Sequence, residues 1–219
     1  MTVRINLEPG NPVATAVATL RPGSKGIRGS LAFIAALGTM VLLPASRAET
    51  VADKAQLCAT CHGENGIPRQ KTTPVIWGQR QGYLYLNLRD YKSGARKNDI
   101  MSAFVRTLER DDMMVLALYF SQKPWPDLQQ PSAPADVAER ALRANTAIGC
   151  TGCHQSEYQG EGTQPRLAGQ WKEYLQQSMM DFRNRTRGNN PGMTDLMLAI
   201  SPDDIAACAE YLAGLTVVR

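Results

Sequence analysis

A repeated motif constrains this chain more than any other feature of its sequence. The segment Cys58-Ala59-Thr60-Cys61-His62 returns 92 residues later as Cys150-Thr151-Gly152-Cys153-His154. Shorter matches follow each copy in the same order, and their offset stays at 91 or 92 residues. This ordered series indicates a duplicated module. The further matching pairs are Pro74 and Pro165, Gly78-Gln79 and Gly169-Gln170, Tyr83-Leu84 and Tyr174-Leu175, Arg96 and Arg187, Met101 and Met193, and Tyr119 and Tyr211.

The positive charge of the chain is concentrated at its amino-terminal end. Residues 1–48 hold five of the 24 lysines and arginines but one of the 20 acidic residues. The rest of the chain is therefore formally neutral, although the whole chain carries a net charge of +4. Because a nucleic-acid-binding domain needs a basic surface, this distribution argues against nucleic acid as a partner.

The same first segment has the features of an export signal. Its cations precede an apolar run from Leu31 to Leu43, and small residues follow at Ser46 and Ala48. We predict a signal peptide over residues 1–48, removed after Ala48. The alternative is an uncleaved anchor, but the apolar run is shorter than the roughly 20 residues of a membrane-spanning helix. Cleavage predicts a soluble, exported protein, whereas a retained leader would give a loose membrane association.

A proline-rich stretch separates the two copies. The stretch contains Pro124, Pro126, Pro131 and Pro134. Each proline lacks a backbone N–H and has a fixed φ, so a continuous helix or strand is not expected there. We predict a first domain over residues 49–128, a linker over 129–135 and a second domain over 136–219.

The apolar periodicity within each copy is helical. Apolar residues recur at helical spacing near residues 83–91, 114–118 and 205–212. Ser93-Gly94 is a typical helix end, and Ser201-Pro202-Asp203-Asp204 is a typical helix start. No stretch alternates apolar and polar residues long enough to predict a sheet. The fold class is therefore all-α, with three or four helices in each copy.

The motif Cys-x-x-Cys-His is the attachment signature of c-type haem. One helical turn brings both thiols to the same edge of a porphyrin, where they add to its two vinyl groups, and the adjacent histidine can bind the iron. We therefore predict two covalently bound haem c groups. The attachment residues are Cys58, Cys61, Cys150 and Cys153, with His62 and His154 as iron ligands.

Three other uses of paired cysteines compete with haem attachment. A redox disulfide gives no role to the histidine that follows each pair. The two pairs are 89 residues apart, whereas the pairs of a zinc site are typically about 15 to 20 residues apart. Structural disulfides are compatible with an exported protein, but they too leave the histidines without a role.

The second axial ligand of each iron is less determined by the sequence. Both histidines of the chain lie in the motifs, which leaves methionine, another side chain or an open position for each iron. Met101 and Met193 have the same register in the two copies, and each follows a loop rich in Asn, Asp or Gly. They are the predicted ligands, with Met197, one helical turn further on, as the alternative to Met193.

These motifs resemble those of a known family, the dihaem cytochromes c of the cytochrome c4 type. The resemblance extends over about residues 50–216 and implies two class I cytochrome c domains in tandem, related by a pseudo-twofold axis. It also implies His/Met ligation of each iron and electron transfer in a bacterial periplasm. The segments that carry it are Cys58–Gly63, Gly78-Gln79 with Tyr83-Leu84, Arg96–Met101, and their counterparts in the second half.

Other residues are candidates for contacts around the haems. An axial histidine usually donates its second ring N–H to a carbonyl oxygen, and Pro74 and Pro165 resemble the family's loop prolines that supply this oxygen. Cys208 is the one cysteine outside the motifs, and we expect it to be an inert core residue. The candidates for binding haem propionates, for which a core or surface role is equally compatible, are Tyr83, Tyr174, Arg96 and Arg187.

Three functions are compatible with two such haems. The first is an electron carrier, for which the resemblance implies a cytochrome bc complex or a dehydrogenase as donor and a terminal oxidase as acceptor. The second is a dihaem redox enzyme of the peroxidase or thiosulfate-oxidising type, which would need an open iron and acid–base groups. The third is the cytochrome subunit of a dehydrogenase. The absence of a spare histidine favours the carrier over the enzyme, because acid–base and ligand chemistry most often uses histidine. The subunit would have the same site chemistry as the carrier, so the sequence does not separate these two.

Overall fold

Helices account for all the regular secondary structure of residues 50–215, the range that the computed structural model describes. The predicted leader lies outside this range. The all-α prediction is confirmed, since no strand occurs between residues 50 and 215. None of the helices in that range has the length and hydropathy to cross a membrane. The first half contains α1 (Val51–His62), α2 (Gln81–Ser93), α3 (Asp99–Val105) and α4 (Arg110–Ser121); the second contains α5 (Ala135–Ile148), α6 (Thr151–His154), α7 (Lys172–Arg183), α8 (Pro191–Leu198) and α9 (Pro202–Ala213).

The two halves pack their helices in the same way. In the first half α4 packs against α1 and α2, and in the second half α9 packs against α5 and α7. Alanines lie at these crossings, with Ala55 and Ala117 buried in the first half and Ala141 and Ala209 in the second. Small side chains let helix backbones approach closely, so the last helix of each half becomes the centre of its core.

Local sequence signals explain where the helices begin. The predicted start at Ser201 is confirmed, because the Ser201 hydroxyl accepts from the Asp204 N–H at 3.1 Å and the Asp204 carboxylate accepts from the Ser201 N–H at 3.2 Å. Thr50 and Asp53 form the same reciprocal cap at the start of α1. Each such cap satisfies backbone donors that have no partner within the helix.

The second half has one helical segment more than predicted. Gly149 ends α5 in the left-handed region at φ +70°, and the short helix α6 begins just after it. The first half has Leu57 at this point of the repeat, and α1 continues through it to His62. A glycine adopts positive φ without the steric penalty of a Cβ, so one substitution divides a continuous helix in two.

The connection between the halves is not helical, and it is held against the second half. No helix occurs from residue 122 to residue 134. Trp125 is buried, and the Gln130 side chain donates to the carbonyl oxygens of Gln170 and Ala213. The predicted linker 129–135 lies almost wholly in this stretch, because Ala135 is already the first residue of α5.

Gly78 and Gly94 provide a matched test of the packing. Both have positive φ, but a Cβ at Gly78 would lie 3.0 Å from the Lys123 oxygen and the Trp125 nitrogen, whereas a Cβ at Gly94 meets nothing within 4 Å. We expect Gly94→Ala to lower the free energy of unfolding by about 1 to 2 kcal/mol. Gly78→Ala should cost at least about 1 kcal/mol more, because the backbone around it must move. Denaturant unfolding followed by circular dichroism measures both, and equal costs would contradict the packing described.

Two candidate haem sites

One cavity brings the predicted site residues of both halves together. Its volume is about 1340 Å³, which exceeds the roughly 300 to 1,000 Å³ of an ordinary small-molecule pocket. Both Cys-x-x-Cys-His motifs contribute to its wall. All fourteen predicted site residues line it: Cys58, Cys61, His62, Pro74, Tyr83, Arg96, Met101, Cys150, Cys153, His154, Pro165, Tyr174, Arg187 and Met193.

Each motif occupies a helical turn at the wall of the cavity. Cys58 and Cys61 lie in the last turns of α1, and Cys150 and Cys153 lie on α6 and the residue before it. Cys61 and Cys153 are exposed, whereas burial raises the pKa of Cys58 to about 11 and that of Cys150 in the same direction. Neither pair forms a disulfide in this structure.

The two histidines have a fixed orientation. Nδ1 of His62 lies 2.7 Å from the carbonyl oxygen of Pro74, and Nδ1 of His154 lies 2.9 Å from that of Pro165. Since a carbonyl can only accept, each Nδ1 carries the proton and donates it. Burial lowers the pKa of both rings, and the proline contact opposes this in part. The rings are therefore neutral with a free lone pair on Nε2, which is the form that binds a metal.

The candidate methionines lie on the short helices α3 and α8, which the sequence analysis had not predicted. The backbone N–H of Met101 donates to the Asn98 side chain at 2.9 Å, and that of Met193 donates to Asn190 at 3.1 Å. Both methionines therefore occupy the third position of a helix that begins with an asparagine cap. Met197 also lines the cavity, but its side chain is 2% exposed.

Arg96 and Arg187 lie where the two halves meet. Arg96 Nη2 donates to the Tyr174 hydroxyl at 3.2 Å, and Arg187 Nη2 donates to the Tyr83 hydroxyl at 3.3 Å. Each arginine thus binds the tyrosine of the other half. Burial raises the pKa of Tyr174, but the charges of the two arginines outweigh it and lower that pKa to about 7. The two guanidinium groups therefore place positive charge at the centre of the cavity.

Two glutamines in the cavity wall had no role in the sequence analysis. Gln79 and Gln170 are 3% and 2% exposed, and each forms hydrogen bonds with the backbone of the other half. The sequence carries a signal for them in the repeated Gly-Gln pair. A repeat alone does not reveal contacts between its copies, so their partners had to come from the structure.

The residues present fit two haem groups. Each half offers two thiols one turn apart, an oriented neutral imidazole with a free Nε2, and a methionine on the wall of the same cavity. Most of the cavity wall is apolar, and its positive centre suits the acidic edge of a porphyrin. This fold and these sites define a c-type cytochrome with two haems.

Comparisons with known proteins identify the family. The family model described as "Cytochrome c" matches residues 140–216. The chain is 34% identical over 172 residues to cytochrome c4 of Pseudomonas aeruginosa, covering 74% of this chain and 85% of that one. It is 33% identical to a protein of Stutzerimonas stutzeri named "Thiosulfate dehydrogenase electron acceptor", covering 74% and 80%. The crystal structure of reduced cytochrome c4 from Pseudomonas stutzeri matches with a TM-score of 0.68 at 28% identity, covering 78% of this chain and 99% of that one.

The chain belongs to the cytochrome c4 family. It carries two covalently bound haem c groups, and it is an electron-transfer protein.

Removing one pair of motif cysteines should remove one haem. We expect the double variant Cys58→Ala, Cys61→Ala to carry a single covalent haem, because thioether bonds form only with cysteine sulfur. Mass spectrometry of the intact protein measures the haem number. Cys208→Ala is the matched control, since Cys208 is buried with its thiol 3.7 Å from the Ala141 oxygen, and it should retain two haems. Two covalent haems in the double variant would contradict the assignment.

Proposed function

We propose that this protein is an exported electron carrier whose two irons are both fully ligated. In this proposal His62 and Met101 bind the first iron, and His154 and Met193 bind the second. The observation that carries it is the equivalence of the two sites. Both histidines donate to a proline carbonyl, and both methionines follow an asparagine cap in the same register.

The burial of the neighbouring methionine supports Met193 as the second ligand. Met197 packs in a core cluster with Phe182, Ile200 and Ile205 and is almost fully buried. A methionine in such a cluster has a sufficient role in packing. Met193 lies at the edge of the same cluster and is only partly buried, so its thioether is available to the cavity.

Full ligation determines the chemistry that the haems supply. An iron bound by imidazole and thioether has a raised potential and no open position for oxygen or peroxide. Both histidines are committed to the irons, and the chain has no third histidine to act as an acid–base group. The protein therefore exchanges electrons and does not turn over a small molecule.

Arg96 and Arg187 are suited to the haem propionates. Both line the cavity, and the ion pairs found within residues 50–215 include neither of them. A buried guanidinium without an anion is costly, and a propionate supplies two acceptor oxygens in the geometry that arginine prefers. Tyr83 and Tyr174 complete the binding groups, and each holds the arginine of the opposite half.

The mouth of the first site is suited to a protein partner. Leu57, Ile100 and Phe104 line it and are 57%, 61% and 43% exposed. At the first two of these repeat positions the second half has Gly149 and Gly192. An exposed apolar rim around a redox centre is typical of a docking surface, and a small one gives the transient complexes that electron transfer requires.

The partners are redox proteins. We infer a dehydrogenase or a cytochrome bc complex as donor and a terminal oxidase as acceptor. The name of the Stutzerimonas stutzeri relative makes a thiosulfate dehydrogenase the first donor to test. The leader predicted over residues 1–48 implies export to the periplasm, where such partners are accessible.

Replacing one proposed ligand tests the ligation. Met101→His exchanges a soft thioether for an imidazole, so the midpoint potential of the first haem should fall while that of the second stays constant. A spectroelectrochemical titration resolves the two potentials. Met197→Leu is the control and should leave both potentials unchanged. An unchanged first potential in Met101→His would remove Met101 from the ligand set.

Stopped-flow mixing with purified partners tests the function. We expect thiosulfate dehydrogenase with thiosulfate to reduce both haems, and a terminal oxidase to reoxidise them. The protein alone should neither oxidise thiosulfate nor consume hydrogen peroxide. Turnover of either compound without a partner would instead make the protein an enzyme.

The same assay tests the apolar rim with a matched pair of variants. Ile100→Ser should lower the second-order rate constant with the partner that uses this mouth by about tenfold, because apolar contact area is lost. Leu142→Ser removes a leucine that is 45% exposed and lies outside the cavity wall, and it should leave that rate unchanged. Equal rates for the two variants with every partner would exclude this rim as the docking surface.

A further inference from the structure

The Gly-Gln pair of each repeat forms a contact that joins the two halves. The Gln170 side chain accepts from the Val75 N–H at 2.9 Å and donates to the Val75 carbonyl oxygen at 3.1 Å. The Gln79 side chain accepts from the Arg166 N–H at 2.7 Å and donates to the Arg166 carbonyl oxygen at 3.0 Å. We call these two contacts the glutamine clasps.

The clasps obey the same pseudo-symmetry as the repeat. Gln79 and Gln170 are 91 residues apart, and so are Val75 and Arg166. Each glutamine oxygen also accepts from the N–H of the next residue of its own half: Gln79 from Arg80 at 2.9 Å, and Gln170 from Trp171 at 3.0 Å. One amide group thus forms three hydrogen bonds and is fully fixed in the interior.

Each clasp holds the residue that follows a histidine-binding proline. Val75 comes directly after Pro74, whose carbonyl oxygen orients His62. Arg166 comes directly after Pro165, whose carbonyl oxygen orients His154. Within residues 50–215, Gln170 is the only hydrogen-bond partner of the Val75 backbone.

We propose that the glutamine clasps position the axial histidines across the interface between the halves. Gln170, in the second half, positions His62 of the first haem, and Gln79, in the first half, positions His154 of the second. The physical route is short. The glutamine side chain accepts from the N–H of the peptide group that joins the proline to the next residue. The carbonyl oxygen of the same peptide group accepts from the Nδ1–H of the histidine ring.

This inference rests on the proposed ligation by His62 and His154. A hydrogen bond from Nδ1 makes the imidazole a stronger donor and fixes its plane, which stabilises the oxidised iron. Loosening a clasp should therefore raise the potential of the haem in the opposite half. A role confined to holding the halves together would instead affect both haems equally.

Histidine-labelled NMR provides a direct test, since the chain has two histidines and both are in the motifs. In the reduced protein, Gln170→Met should speed solvent exchange of the His62 Nδ1–H by on the order of tenfold and leave that of His154 unchanged. Gln79→Met should do the reverse. Methionine matches glutamine in length but can neither donate nor accept in this way, so it removes the clasp without creating a large void.

The potentials of the two haems give an independent readout. Each clasp variant should shift the reduction equilibrium of the opposite haem up to about tenfold toward the reduced form. For one electron, a tenfold shift raises the potential by about 59 mV. Glu173→Gln is the control, because it breaks the ion pair of Glu173 with Lys71 between the halves at 3.7 Å without touching a clasp. It should leave both potentials and both exchange rates unchanged.

The outcomes separate this inference from the proposed function. Changes confined to the haem of the same half, or equal changes at both haems, would overturn the clasp proposal while leaving the ligation intact. Histidine signals in the parent protein that lack the large shifts of a ring bound to haem would instead refute the ligation itself. If Gln170→Met unfolds, Gln170→Asn keeps the amide but shortens its reach, and the same crossed pattern is expected.

Discussion

The structure depends on one helical turn that carries two thiols and an imidazole and that occurs once in each half. Both thiols of a motif would bind the same porphyrin edge, so the position of this turn would determine where a haem is held in the cavity. The proline carbonyl then fixes the tautomer and plane of the histidine, at 2.7 Å in one half and 2.9 Å in the other. The helices α4 and α9 and their alanine crossings serve to hold this geometry.

The second constraint is the polar interface where the halves meet. Each arginine binds a tyrosine of the opposite half, and each clasp glutamine binds an opposite backbone segment. Buried polar groups of this kind are stable only when their partners are complete. The interface therefore specifies one relative position of the two haem sites. The two halves differ at the outer surface of the haem sites, which makes no contact of this kind within residues 50–215. The first half has exposed Leu57 and Ile100 there, and the second has Gly149 and Gly192 at the same repeat positions.

The all-α fold, the duplicated module and the haem groups could be predicted from the sequence. Helical periodicity, the ordered repeat and the Cys-x-x-Cys-His motif each indicate one of them directly. The motif identifies the cysteines that attach a haem, and the cap at Ser201 marks the start of α9. The sequence analysis did not predict α3 and α8, since a helix of seven or eight residues has too little periodicity to be recognised. The sequence analysis also assigned no role to Gln79 and Gln170. Their partners lie 87 and 95 residues away in the chain, and no local pattern encodes such a contact.

The central claim is that both irons are saturated by one nitrogen and one sulfur ligand, so that the protein has nowhere to bind a small molecule. The absorption spectrum of the reduced protein before and after addition of carbon monoxide tests this most directly, because carbon monoxide binds ferrous haem at an open axial position. We predict an unchanged spectrum for both haems. A shifted Soret band at either haem would mean an open iron, and the enzyme alternative would then replace the carrier.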